Sequence, residues 1–174
     1  MFHRFRYEAD AYPSLSRIPL HVRMKLDLTG IKISLKNWLA FDLAERAALC
    51  HLPCRLSVER QAFVGYLDFL SRKYFGTPVV LTSALDSTLW GKAQLPEAVR
   101  KKSADSLQRV TPQEWFNWQC HERYALYKTA TSQSQPDAFA QVLEQLPPDF
   151  KPPPRRSFAA ALQDARTRGL LPDK

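Results

Sequence analysis

Ile18-Pro19-Leu20-His21-Val22-Arg23-Met24-Lys25 returns 77 residues later as Leu95-Pro96-Glu97-Ala98-Val99-Arg100-Lys101-Lys102. The register continues without a gap. Ile33-Ser34 meets Val110-Thr111, Trp38 meets Trp115, Phe41 meets Trp118, Glu45-Arg46 meets Glu122-Arg123, and Ala48-Leu49 meets Ala125-Leu126. Over 18–49 against 95–126, 9 of 32 positions are identical. One deletion further on, Ala62-Phe63, Leu67 and Leu70 match Ala138-Phe139, Leu143 and Leu146. Two tryptophans and two Glu-Arg pairs in one register favour an internal duplication over coincidence between two amphipathic stretches.

The matched positions carry helix signals. Pro19 and Pro96 suit a first helical turn, where a missing N–H costs nothing. Ser34 and Thr111 read as N-caps. Thr111-Pro112-Gln113-Glu114 forms a full capping box with Val110 and Trp115 as its hydrophobic staple. The earlier copy keeps the staple as Ile33 with Trp38 but has Asn37 where the box glutamate would stand, and Asp42-Leu43-Ala44-Glu45 reads as a further box. Each copy is thus expected to hold an opening helix (19–28; 96–107), a short capped helix (35–40; 112–118), a middle helix (43–51; 120–130) and a closing helix (57–74; 136–146). In the longest, Phe63, Val64, Tyr66, Leu67, Leu70 and Tyr74 recur at spacings of three and four. Pro78-Val79-Val80-Leu81 is the only strand candidate. The expected fold is all-α: two tandem copies of a multi-helix unit, about 12–76 and 89–146, packed as one pseudo-symmetric domain over 1–146. The shared tryptophans are expected to plug the interiors while the arginines look outward. Residues 147–174 are expected to form a Pro-rich spacer and a last helix capped by Ser157 and ended by Gly169.

Bulk properties agree. At 174 residues the chain can bury a real core without staples, and with 13 Pro but only 5 Gly it lacks the glycine of a turn-rich β fold or a phosphate loop. Its apolar runs fall far short of the about 20 residues of a membrane span, the N-terminus has no signal-type apolar region, and three cysteines do not suggest a disulfide framework. The cytoplasm is the expected compartment. The net charge of +8 is spread over both halves rather than gathered on one face, which weakens a nucleic-acid reading.

No catalytic constellation is complete, so no catalytic, cofactor-binding or metal-ligating residue is expected. Cys50-His51-Leu52-Pro53-Cys54 with Cys120-His121 offers zinc-type ligands, but the spacing is not that of tight pairs and Cys50, Cys54 and Cys120 align with Tyr127, Thr131 and Leu43. Buried thiols acting as small hydrophobes are the better account. His3, His21, His51 and His121 are scattered and match no ligand motif. Trp38, Phe41, Trp115 and Trp118 suit a packed core better than a base-stacking platform. What remains is the doubled V-R-x-K. It reads either as a solvated flank with local ion pairs or as a basic surface that docks on an acidic protein partner.

The run from Ile18 to Ile33, with Val22-Arg23-Met24-Lys25-Leu26-Asp27 and Gly30-Ile31-Lys32 inside it, followed by Trp38, Glu45-Arg46 and Pro53-Cys54, resembles the nitrate reductase-associated protein family. Tyr7-Glu8-Ala9-Asp10 matches the acidic aromatic segment that precedes it. The resemblance is close over about residues 5–75, with Arg17, Leu20 and Ile33 departing from the pattern. It implies a non-catalytic accessory or assembly protein for assimilatory nitrate reductase that acts by protein–protein binding and uses no cofactor. The signature residues Arg23, Lys25, Asp27 and Lys32, with Arg100 and Lys102 from the second V-R-x-K, are the candidate partner surface. Gly30 also suits a left-handed helix C-cap. The alternative is a nucleic-acid-binding helical protein, which would lose affinity steeply with salt.

Overall fold

The computed structural model describes residues 2–105, 109–132 and 137–146. A 3-10 turn at Arg6–Glu8 leads to helices α1 (Leu20–Thr29), α2 (Leu35–Ala40), α3 (Leu43–His51) and α4 (Ser57–Phe75). A second 3-10 turn at Ser87–Trp90 then precedes α5 (Glu97–Ala104), α6 (Pro112–Asn117), α7 (Cys120–Thr131) and α8 (Ala138–Leu143). The protein is mostly helical. Its one sheet among the described residues is a ladder of two-residue strands, β1 (Ile31–Lys32) and β2 (Val80–Leu81), paired antiparallel. Each helix expected from the sequence up to residue 146 has its counterpart. The spacer and last helix expected at 147–174 lie outside the described residues, as does the end of the opening helix expected at 106–107.

Local signals explain the boundaries. The Thr111 hydroxyl accepts from Glu114 N, and the Glu114 carboxylate accepts from Thr111 N at 2.9 Å. Asp42 and Glu45 exchange the same two bonds at 2.7 and 2.9 Å. Ser34 corrects the expectation of an incomplete box, because its N–H donates to Asn37 Oδ1 at 3.3 Å. A shorter amide thus reaches where the glutamate was expected. Gly30 ends α1 at φ +65°. A Cβ there would drive into the Thr82 carbonyl, whose own N–H donates to Gly30 O at 2.6 Å. Both the backbone hand and the close approach therefore demand glycine.

Two hydrophobic clusters fill the interior. Val22, Trp38, Leu49, Phe63 and Leu67 belong to one, and Trp90, Val99, Trp115, Tyr124 and Phe139 to the other. Trp38 and Trp115 are fully buried. The arginines do not all look outward: Arg123 is buried, because its Nε donates to Trp90 O at 2.9 Å and a terminal nitrogen donates to Trp118 O. Packing of α1 on α7 connects the two clusters.

Candidate functional site at the α1–α7 joint

Helix α1 carries the sequence signature, and its side chains divide between the interior and the surface. Lys25 is 2% exposed. Its ammonium donates to the carbonyls of Leu49, Cys50 and Leu52 at 2.9, 2.9 and 2.5 Å, satisfying the end of α3 where four C=O groups lack helical partners. Burial pulls its pKa down to about 8, against the pull of the nearby Cys50 and Cys54 thiols. Lys25 is therefore removed from the expected partner surface: a helix C-terminus captures the cation that spacing alone placed on a solvated flank.

The other nominated residues are distributed differently. Arg23 is exposed. Its Nε donates to Ile18 O at 3.0 Å, and no carboxylate among the described residues pairs with it. Asp27 is half-buried and accepts from Tyr124 Oη and Lys128 Nζ, each at 2.7 Å, so it ties α1 to α7. Lys32 stands exposed on β1. Arg100 is exposed and bonded to Glu97 one turn earlier at 2.9 Å, while Lys102 is half-buried. The structure brings Arg23 and Asp27 to one joint, with Lys32 further along on β1. Arg100 stands on a different helix, α5.

At that joint a cavity of about 120 Å³ opens between the first 3-10 turn, α1, α7 and α8, lined in part by Glu8, Arg17, Arg23 and Lys128. Glu8 is buried, and its carboxylate accepts from Leu20 N at 3.0 Å and Tyr12 Oη at 2.9 Å. It therefore satisfies the first N–H of α1 from twelve residues upstream. Burial raises its pKa, and the two hydrogen bonds only partly offset this. Arg17 pairs with Asp10, and the Thr129 hydroxyl donates to Ala125 O at 2.8 Å. These groups hold charge in place. They do not assemble a nucleophile with a base.

Sequence spacing missed the histidines. His3 stacks on His121 with ring centroids 3.6 Å apart, meets His21 edge-on at 5.0 Å, and donates its backbone N–H to His21 Nδ1 at 3.2 Å. Burial above all, then Lys25 and the neighbouring imidazoles, pushes His21 down to about 3. Burial, then His3 and Arg123, pushes His121 to about 4. No short motif carries this convergence, because its members come from the N-terminal segment, α1 and α7. Among the described residues, no group of three or more His, Cys, Asp or Glu has the arrangement to hold a metal ion. Cys50 and Cys54 are buried, with burial raising both thiols, Cys50 to about 11. Cys120 departs from the buried-thiol expectation and is exposed. Among the described residues no helix is long and apolar enough to cross a membrane.

No curated protein and no solved structure matches the chain. A family model described as conserved nitrate reductase-associated protein matches residues 4–146, which takes in Glu8, the α1 signature, both clusters and the α1–α7 joint. Its description names an association with an enzyme rather than a reaction. The chain belongs to the conserved nitrate reductase-associated protein family.

Proposed function

We propose that this protein is a non-catalytic accessory factor that binds assimilatory nitrate reductase in the cytoplasm and supports its assembly or activity. The observation that carries this reading is Arg23. It is a signature residue at the mouth of the α1–α7 joint, exposed and in no ion pair among the described residues, although its charge acts on the buried Glu8 carboxylate. A guanidinium fork of this kind favours a planar carboxylate on a partner. Lys32 adds an exposed cation, whereas Lys25 supports the scaffold and Asp27 ties α1 to α7. Arg100, balanced by Glu97, contributes less. The two sets of four helices are read as copies of one unit, with the Pro19 and Pro96 starts, the Ser34 and Thr111 boxes and the paired tryptophans as support.

The test is co-purification of the tagged full-length chain from nitrate-grown cells. Wild type is expected to capture nitrate reductase and Arg23→Glu to lose it, with the fold unchanged. Full capture by Arg23→Glu would refute this surface, and no capture by wild type would refute the role.

A further inference from the structure

We infer that the groove between α4 and β2 receives an extended, carboxylate-bearing segment of a partner protein, which adds as a strand beside Leu81. This deepens the partner-binding reading above and rests on it for the partner's identity. The groove encloses about 550 Å³ and is lined by Arg60, Gln61, Val64 and Gly65 of α4 and by Val79 and Leu81 opposite, a size within the range of binding clefts.

Leu81 faces Ile31 and Val80 faces Lys32 across the ladder, and Thr82 N–H donates to Gly30 O. Because hydrogen-bonding groups alternate along a strand, residues 80 and 82 turn theirs toward β1 while Leu81 turns its N–H and C=O the other way. Val79, of the same parity, confirms that direction by donating its N–H to Asp68 Oδ1 of α4 at 3.0 Å. The free edge of Leu81 therefore faces the groove, where an added strand finds main-chain partners.

Arg60 Nε is buried without a hydrogen-bond partner, and the Arg60 side chain pairs with no carboxylate among the described residues. A guanidinium that lines a groove wall without a paired carboxylate favours an incoming carboxylate. The groove's own acid, Asp68, is already engaged by Val79 N and by Arg72 Nε at 2.8 Å.

Val64 of α4 and Pro78, Val79 and Leu81 opposite give the groove its apolar lining, with Leu81 68% exposed. A Cβ at Gly65 would meet nothing, so the wall is open there. The occupant is thus an extended segment with an Asp or Glu for Arg60 and apolar side chains at alternating positions.

The test pans a random octapeptide library against the full-length chain, Arg60→Gln and Gly65→Trp. Wild type should enrich peptides carrying an acid flanked by β-branched or aromatic residues. Arg60→Gln should lose the acid preference, and Gly65→Trp, which fills the groove from an exposed helix face, should weaken binding at least about tenfold. No enrichment by wild type, or enrichment that survives Gly65→Trp, would overturn the inference. Capture of nitrate reductase is read separately. Capture by wild type and equally by Gly65→Trp would refute the groove and leave the accessory role standing. Absence of capture by wild type would refute the role, with the peptide result alone deciding the groove.

Discussion

The Trp38 indole and the Arg46 guanidinium close on a single carbonyl, that of Leu15, at 2.7 and 3.1 Å. The tryptophan and arginine 77 positions later grip two adjacent carbonyls: Trp115 donates to Gly91 O at 2.7 Å and Arg123 to Trp90 O at 2.9 Å. In each case a tryptophan from a short capped helix and an arginine from the next helix grip the chain just ahead of the opening helix. The spacing Trp, Glu, Arg therefore has a physical content. The glutamate accepts from the N-cap amide of the helix whose arginine makes the grip.

Breaking the grip should destabilise the fold. Trp38→Phe and Trp115→Phe each remove one buried donor and some apolar area and should cost about 1–3 kcal/mol. Arg123→Ala should cost more than Arg46→Ala, because Arg123 is buried and both carbonyls it serves would lose their donor. Urea titration should show lower midpoints with little change in slope. Equal midpoints for the two arginine variants would contradict this account.

Lys25→Met keeps much of the side-chain length but leaves the Leu49, Cys50 and Leu52 carbonyls without their ammonium. It should cost about 2–4 kcal/mol, whereas Arg23→Gln on the same helix should change stability by less than about 1 kcal/mol. Thermal melts of the two variants separate a scaffold cation from a surface one, and similar losses for both would be the wrong result.

Gly30→Ala places a Cβ at positive φ against the Thr82 carbonyl, and the expected loss is about 2 kcal/mol or more. Gly76 also has positive φ but open space around it, so Gly76→Ala should cost only the backbone strain, about 1 kcal/mol. The difference in melting temperature between the variants isolates the close approach.

The buried His21 and the half-buried His121 give the fold an acid limit. Their folded-state pKa values are lowered, His21 to about 3 and His121 to about 4. The unfolded chain therefore binds more protons below its ordinary value of about 6.5. Stability is full above that pH and falls as pH drops from there toward 4, each imidazole contributing a slope of up to about 1.4 kcal/mol per pH unit. Lys25 and Arg123 press in the same direction, and Glu122 opposes it at His3. The variant His121→Gln should flatten the profile between pH 6 and 4. An unchanged profile would show that His121 is not held neutral by the fold.

What was legible in the sequence was what is local. Capping boxes, staples and prolines act within one turn, so the helix starts at Leu35, Leu43 and Pro112 follow from Ser34, Asp42 and Thr111 without knowledge of the rest of the chain. Trp38 and Trp115 were legible as core because large apolar groups at a helix start have few other places to go, whereas the equally buried Trp90 carried no such signal. Lys25 was not, because its role depends on carbonyls 24 to 27 residues away. The meeting of His3, His21 and His121, the orphaned Arg60 and the free edge of Leu81 are likewise products of packing between distant segments, and no spacing rule reaches that far.

The most direct test of the accessory role is a titration of purified nitrate reductase with the full-length chain, followed by calorimetry at moderate salt. Saturable binding is expected, weakened at least about tenfold by Arg23→Glu, since a lost charge-assisted contact of this kind costs on the order of 1.4 kcal/mol or more. Heats no larger than those of dilution for the wild-type chain, or identical isotherms for wild type and Arg23→Glu, would contradict it.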